Sequence, residues 1–224
     1  MKSQAGIALV IALMITLLIS TLAVALILTT TVETRIASQF QRAQGSLYAA
    51  DAIVERTLDD LLGVANWNRL LDGTAQSSFV DGPPNGARTL SDGSVLDLTQ
   101  ALNLANCHKL TKCSVGDMDA VSDDRPWGAN NPRWKLFAYG RISDLATPGD
   151  VQSPYYGLVM VGDDPAEDDN DPTLDGVGDN PGLGIILVRG AAYGPGGAHK
   201  VVELTVTRAQ QAVAIKVLSW REVR

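Results

Sequence analysis

The sequence predicts an α+β protein: one long N-terminal helix, apolar in its first half and amphipathic in its second, packed on an antiparallel β-sheet with long loops. Three observations predict it. Residues 7–32 carry no charge at all. An apolar stripe at steps of three and four then continues to residue 61. From residue 94 onward, short alternating segments are separated by glycine, proline and acidic loops.

The helix comes first. Only Thr and Ser interrupt the uncharged run, at Thr16, Ser20, Thr21, Thr29, Thr30 and Thr31. As a helix it spans roughly 39 Å, enough to cross a hydrocarbon core of about 30 Å. A secretory h-region is shorter and ends in a small-residue cleavage site, so a simple cleaved signal peptide fits poorly. Beyond the run, Ile36, Phe40, Ala43, Leu47, Ala50, Val54, Leu58 and Leu61 recur at helical spacing, while Arg35, Gln39, Arg42, Asp51, Glu55, Arg56 and Asp59 fill most of the rest. Gly45 is the only glycine in 7–62, no proline precedes Pro83, and Gly63 supplies a stop. One unbroken helix over 7–62 follows, and its amphipathic half must lay its stripe on something.

The sheet is the candidate. SVLDL (94–98), RWKLFAYGRI (133–142), YYGLVMVG (155–162), LGIILVRGAAYG (183–194), HKVVELTVTR (199–208) and AVAIKVLSW (212–220) read as strands. GPGG at 194–197 reads as a hairpin turn. Val202, Leu204 and Val206 face one way and Glu203, Thr205 and Thr207 the other, which predicts a sheet with one polar face. Residues 66–131 read as loop-rich.

The net charge of −7 is local. Eight acids and no base fall within 163–179, and the rest of the chain is nearly neutral. No basic stripe exists, so nucleic acid is not an expected partner. Lys2 precedes the apolar run and favours a cytoplasmic N-terminus, against the counterweight of Arg35 and Arg42. No second apolar run follows, so a single membrane pass is expected.

With these residues in view, the N-terminus is similar to the type IV prepilins, and more closely to the PilX-type minor pilin N-terminal family. The words that carry the resemblance are QAGIALVIALMITLL (4–18), VETRIASQFQRAQ (32–44) and LYAADAIVER (47–56); GAAYGPGGAHKVVELTVTR (190–208) is similar to a glycine-rich hairpin of such proteins. The resemblance implies a pilin-like fold with a leader over 1–6, a transmembrane and filament-core helix over 7–32, its amphipathic continuation over 33–63, and a periplasmic loop-rich β domain over 64–224. It implies cleavage by prepilin peptidase between Gly6 and Ile7, usually with methylation of the new N-terminus. Other pilins or pseudopilins, the peptidase and the inner membrane are the implied partners. Glu33 and Arg35 correspond to the acidic–basic patch just after the membrane run. One departure matters: major pilins carry a glutamate at the fifth mature position, where this chain has Ile11. That carboxylate pairs with a neighbour's terminal amine in a filament, and a subunit lacking it suits the top of the stack.

Two further sites stand out. The loop GDDPAEDDNDPTLDGVGDN (162–180) departs from the EF-hand template, with Thr173 at the third position and Gly182 at the twelfth, yet its crowded carboxylates suit a looser calcium loop. Asp169, Asp171, Asp175 and Asp179 are the leading ligand candidates, and a solvated loop kept soluble by charge is the alternative. Cys107 and Cys113 are expected to form a disulfide closing a small loop; free thiols and a metal site with His108 are the alternatives. No catalytic constellation accompanies the two histidines, His108 and His199, and no nucleophile elbow or phosphate-binding loop occurs. The aromatics Trp67, Trp127, Trp134, Tyr155, Tyr156 and Trp220 read as core residues.

The expected function is therefore non-enzymatic: a minor subunit, at the tip or initiating assembly, of a type IV pilus, localised to the inner membrane and to the pilus when assembled. The alternatives are a minor pseudopilin of type II secretion and a single-pass anchored periplasmic domain that binds calcium or another ligand.

Overall fold

The computed structural model describes residues 5–145, 152–167, 169–176, 184–208 and 214–223. Helix α1 runs unbroken over Ala5–Leu62. It is followed by a single turn, α2 (Asn68–Leu71), a small hairpin of β1 (Ala87–Thr89) and β2 (Val95–Asp97), and two short helices, α3 (Leu98–Cys107) and α4 (Val115–Asp119). The main sheet is built from β3 (Lys135–Arg141), β4 (Tyr156–Asp163), β5 (Ile185–Gly194), β6 (Ala198–Arg208) and β7 (Ile215–Val223). It is wholly antiparallel and its spatial order is the chain order, β3-β4-β5-β6-β7. Residues 195–197 make the tight turn between β5 and β6, with Gly196 and Gly197 at positive φ, where a side chain would be strained.

The chain divides into two compact units, Met1–Arg42 and Ala43–Arg224. Within the second, α1 packs its last five turns on one face of the sheet. Ala49, Ala50, Ile53, Val54 and Leu61 are buried there with Phe137, Val159, Val161, Ile186, Val188, Val202, Leu204 and Val206. Burying each of Ile53, Val54 and Leu61 contributes about 1.5–3 kcal/mol. The contact is close because glycines floor it. A Cβ on Gly190 would sit 2.2 Å from Val54 Cγ2 and 3.2 Å from the Ala50 carbonyl, and one on Gly157 2.6 Å from Ile53 Cδ1. The stripe starts later than its periodicity suggests: Ile36 and Phe40 are 61% and 66% exposed, and burial begins around Ala43.

The expected polar face of the sheet is not open. A second layer covers it, in which Leu96, Leu98, Ala101 and Ala105 pack on Trp134, Leu136, Tyr139, Tyr156, Leu158, Met160, Leu187 and Val201. Much of that layer is α3, within the stretch expected to be loop. Asp97 caps it by accepting from the Gln100 N–H, and His108 ends it at φ 56°. Glu203, expected to face solvent, is buried in a cross-strand row between Arg189 and Arg221. The outer edge of β3 is closed by residues 77–81, which exchange backbone hydrogen bonds with Phe137 and Tyr139.

Candidate assembly helix and carboxylate cluster

The first candidate site is the apolar half of α1. Its side chains point outward on every side: Ile7, Leu13, Leu17, Leu22 and Leu26 are each more than half exposed, and Ile11 is 51% exposed. A helix apolar all round is stable only in lipid or among other helices. By length and composition, α1 is the one helix among the described residues able to cross a membrane. Its hydroxyls ask nothing of the surroundings. Thr16 donates to the Leu13 carbonyl, Ser20 to Thr16, Thr21 to Leu18, Thr29 to Ala25, Thr31 to Ile27 and Thr34 to Thr30. Each polar group is satisfied inside the helix, as an apolar medium requires. Gly6 and Ile7 lie in the first described turn, Glu33 and Arg35 are exposed further along, and Lys2 lies outside the described residues.

The second candidate site is at the far end of β4. Asp163 ends that strand opposite Ile186, and a turn follows in which Asp164 Oδ1 accepts from the Ala166 N–H and the Asp164 carbonyl from the Glu167 N–H. Asn130 Nδ2 donates to the Glu167 carbonyl at 2.7 Å and anchors the turn. Asp163 and Glu167 are 3% and 1% exposed. Together with the half-buried Asp169 they bring three carboxylates together, one oxygen from each lying within 4.8 Å of the others. Among the described residues, Asp163 Oδ1 is buried with no hydrogen-bond partner. The Gly176 N–H donates to Glu167.

The electrostatics follow from this crowding. Burial, joined by the charges of Glu167, Asp169 and Asp175, pushes the Asp163 carboxyl up to about 9, with the Asp164 N–H working the other way. Burial, then Asp169 and Asp175, pushes Glu167 up to about 7. Asp163 and Asp169 take part in none of the ion pairs among the described residues. Arg208, whose charge acts on Asp175, stacks 4.9 Å over the Trp67 ring and donates to the Val64 and Ala65 carbonyls.

Of the four acids expected as ligands, the structure brings only Asp169 into this cluster. Asp171 accepts from the N–H and hydroxyl of Thr173. Asp175 accepts from the Gly184 N–H, and its own N–H donates to Asn68 Oδ1, both at 2.8 Å. Asp179 lies outside the described residues. Asp163 and Glu167 were legible only as members of an acidic run; that a strand end buries the first of them is not a local property of sequence.

The remaining sites are structural. Cys107 and Cys113 are joined by a disulfide, with Cα atoms 6.1 Å apart, and His108 Nε2 meets Asp124 at 3.3 Å. His199 stacks on Tyr193 at the end of the β5–β6 hairpin, 4.4 Å between centroids. Trp67, Trp134 and Tyr156 are buried, whereas Trp127 and Trp220 are 40% and 49% exposed. Trp220 Nε1 donates to Asp51 at 3.1 Å, tying β7 to α1.

The all-round apolar helix running into a half-buried one is the feature that comparison with known proteins picks out. Residues 5–55 match the family described as PilX N-terminal. That match covers less than a quarter of the chain, is consistent with a PilX-type pilin, and points to a family of type IV pilus minor pilins. It spans the apolar run, the exposed Glu33 and Arg35, and the Ala49–Ala50 pair buried on the sheet. Neither the curated proteins nor the solved structures hold a match to the chain.

Proposed function

We propose that this chain is a minor subunit of a type IV pilus, acting at the tip or in initiating assembly, and that it works by packing rather than by chemistry. The observation that carries the reading is the apolar half of α1, exposed on all sides with its hydroxyls bonded back to the helix's own backbone. Such a helix exchanges lipid for neighbouring pilin helices with little change in its surroundings. The PilX N-terminal match over the same residues supports the choice of machine. Cleavage between Gly6 and Ile7 by a prepilin peptidase would release it from a leader. Before that step the chain sits in the inner membrane with its N-terminus in the cytoplasm and residues 64–224 in the periplasm.

Ile11 supports the terminal position. After cleavage it is the fifth residue, and it offers no carboxylate to a neighbour's terminal amine. The same feature suits a minor pseudopilin of type II secretion, which keeps that machine as the second reading. The test is the mass of the mature N-terminus in cells with and without the peptidase. The expected result is loss of residues 1–6 and a methyl group on Ile7 only where the peptidase is present. An intact leader in both strains would overturn the reading. Loss of piliation with normal protein secretion in a deletion strain is expected for the pilus; the reverse would assign the secretion machine.

A further inference from the structure

We propose that Asp163, Glu167 and Asp169 form a calcium site that fastens the β4–β5 loop to the end of the sheet. The inference is independent of the pilus reading. Three carboxylates converge from three different backbone settings: the last position of a strand, the end of a turn, and the loop beyond it. Two of them are almost wholly buried, and Asp163, which offers one oxygen to the cluster, has its Oδ1 buried without a hydrogen-bond partner among the described residues. Burying an unpaired carboxylate is among the costliest arrangements available to a protein, and natural structures relieve it with a counter-charge or a metal. Arg208, whose charge acts on the neighbouring Asp175, is committed to Trp67 and to two carbonyls.

The donor set selects the ion. Carboxylate oxygens alone, with no thiolate or imidazole, suit a hard cation rather than zinc or copper. Coordination preference selects among hard cations: calcium accepts about six to eight oxygens in flexible geometry, whereas magnesium demands a near-ideal octahedron and keeps several of its waters. The three oxygens lie within 4.8 Å of one another, close enough for one calcium ion to bridge them. The surroundings hold the ligands in place: Asn130 grips the Glu167 carbonyl, Asp169 Oδ1 accepts from the Asp171 N–H, and Asp175 ties the loop to Asn68 and Gly184.

The experiment uses the full chain in detergent, stripped with EDTA and titrated with calcium chloride while binding heat and thermal unfolding are followed. One site is expected, with a Kd in or below the range of about 10⁻⁴–10⁻³ M typical of extracellular calcium modules, together with a rise in Tm. Magnesium at equal concentration is expected to give a smaller rise. Asp163→Asn swaps the carboxyl for an amide of nearly the same size, so in EDTA its Tm is expected to stay close to that of the unaltered chain. In calcium it is expected to fall below the unaltered chain, because the variant binds at least about tenfold more weakly. Asp171→Asn, within the same acidic loop but outside the cluster, is expected to bind like the unaltered chain. No calcium-dependent heat or Tm change would overturn the proposal. So would Asp163→Asn responding like the unaltered chain, or Asp171→Asn losing the response to the same degree, which would mark diffuse attraction to an acidic loop. A magnesium response equal to that of calcium would overturn the choice of ion.

Discussion

Asp60 shows how a single side chain closes the end of a long helix. It sits half a turn before the C-terminus of α1 and gathers Arg56 from its own helix and Ser77 and the Ser78 N–H from the segment that shields β3. Burial alone would raise its carboxyl, but the Ser77 and Arg56 hydrogen bonds outweigh that and hold it below its ordinary value of 3.8. A carboxylate with a lowered folded pKa stabilises the fold above its unfolded value, and that contribution is lost as pH falls through the folded one. Asp60→Asn is therefore expected to cost about 2 kcal/mol near neutral pH. It should also flatten the acid limb below about pH 4, measured as urea midpoints against pH. A variant whose acid limb matched the unaltered chain would remove Asp60 from this account. At this scale the sequence was only partly readable. Asp169 belonged to a visible acidic run. Asp163 and Glu167 became distinctive only because β4 and its turn bury them, and no spacing rule announces burial.

Among the elements, the interface between α1 and the sheet is the most exacting. Gly190 and Gly157 let the helix approach until Val54 and Ile53 nearly touch the strand backbone. Gly190→Val is expected to destabilise the fold by about 1–3 kcal/mol through overpacking. Gly116→Ala, with open space around its Cβ and an ordinary φ in α4, should be nearly neutral. Urea midpoints of the two variants check the contrast. Each main-sheet strand could be read from alternation to within a few residues, because a period of two is carried by the local sequence. α3 escaped notice because ten residues rich in Ala, Asn and Leu make a weak pattern. Its signal was the Asp97 cap before Leu98, Ala101 and Ala105. Ile36 and Phe40 kept the helical period without burial, since periodicity tells which face is apolar but not what covers it.

For the whole molecule, the division near residue 42 separates two kinds of stability. The buried core of Ala43–Arg224 includes α1 residues from Ser46 onward and none before. Deleting residues 1–28 is accordingly expected to leave the unfolding free energy of the remainder within about 0.5 kcal/mol, since the side chains of residues 6–28 are exposed. Urea unfolding of the truncated and full chains in the same detergent measures this, and a larger loss would mean that the apolar half supports the core. The broad α+β layout was legible because both of its layers announce themselves by period. The second layer over the sheet was not, because short elements joined by glycine and proline turns carry no period long enough to read.

The order of the main sheet has a bearing on the chain's first seconds. Each strand pairs with the one made just before it, so the sheet grows as synthesis proceeds without waiting for distant partners. The helix does have to wait. Ala50 and Val54 meet Gly190 and Val202, contacts that span well over a hundred residues of chain. Until β5 and β6 have emerged, the apolar stripe of a helix complete since residue 62 has no cover. A newborn chain thus passes through an interval in which its earliest element is finished and its latest is still on the ribosome, and it is then that a chaperone, or a second copy, would find something to hold.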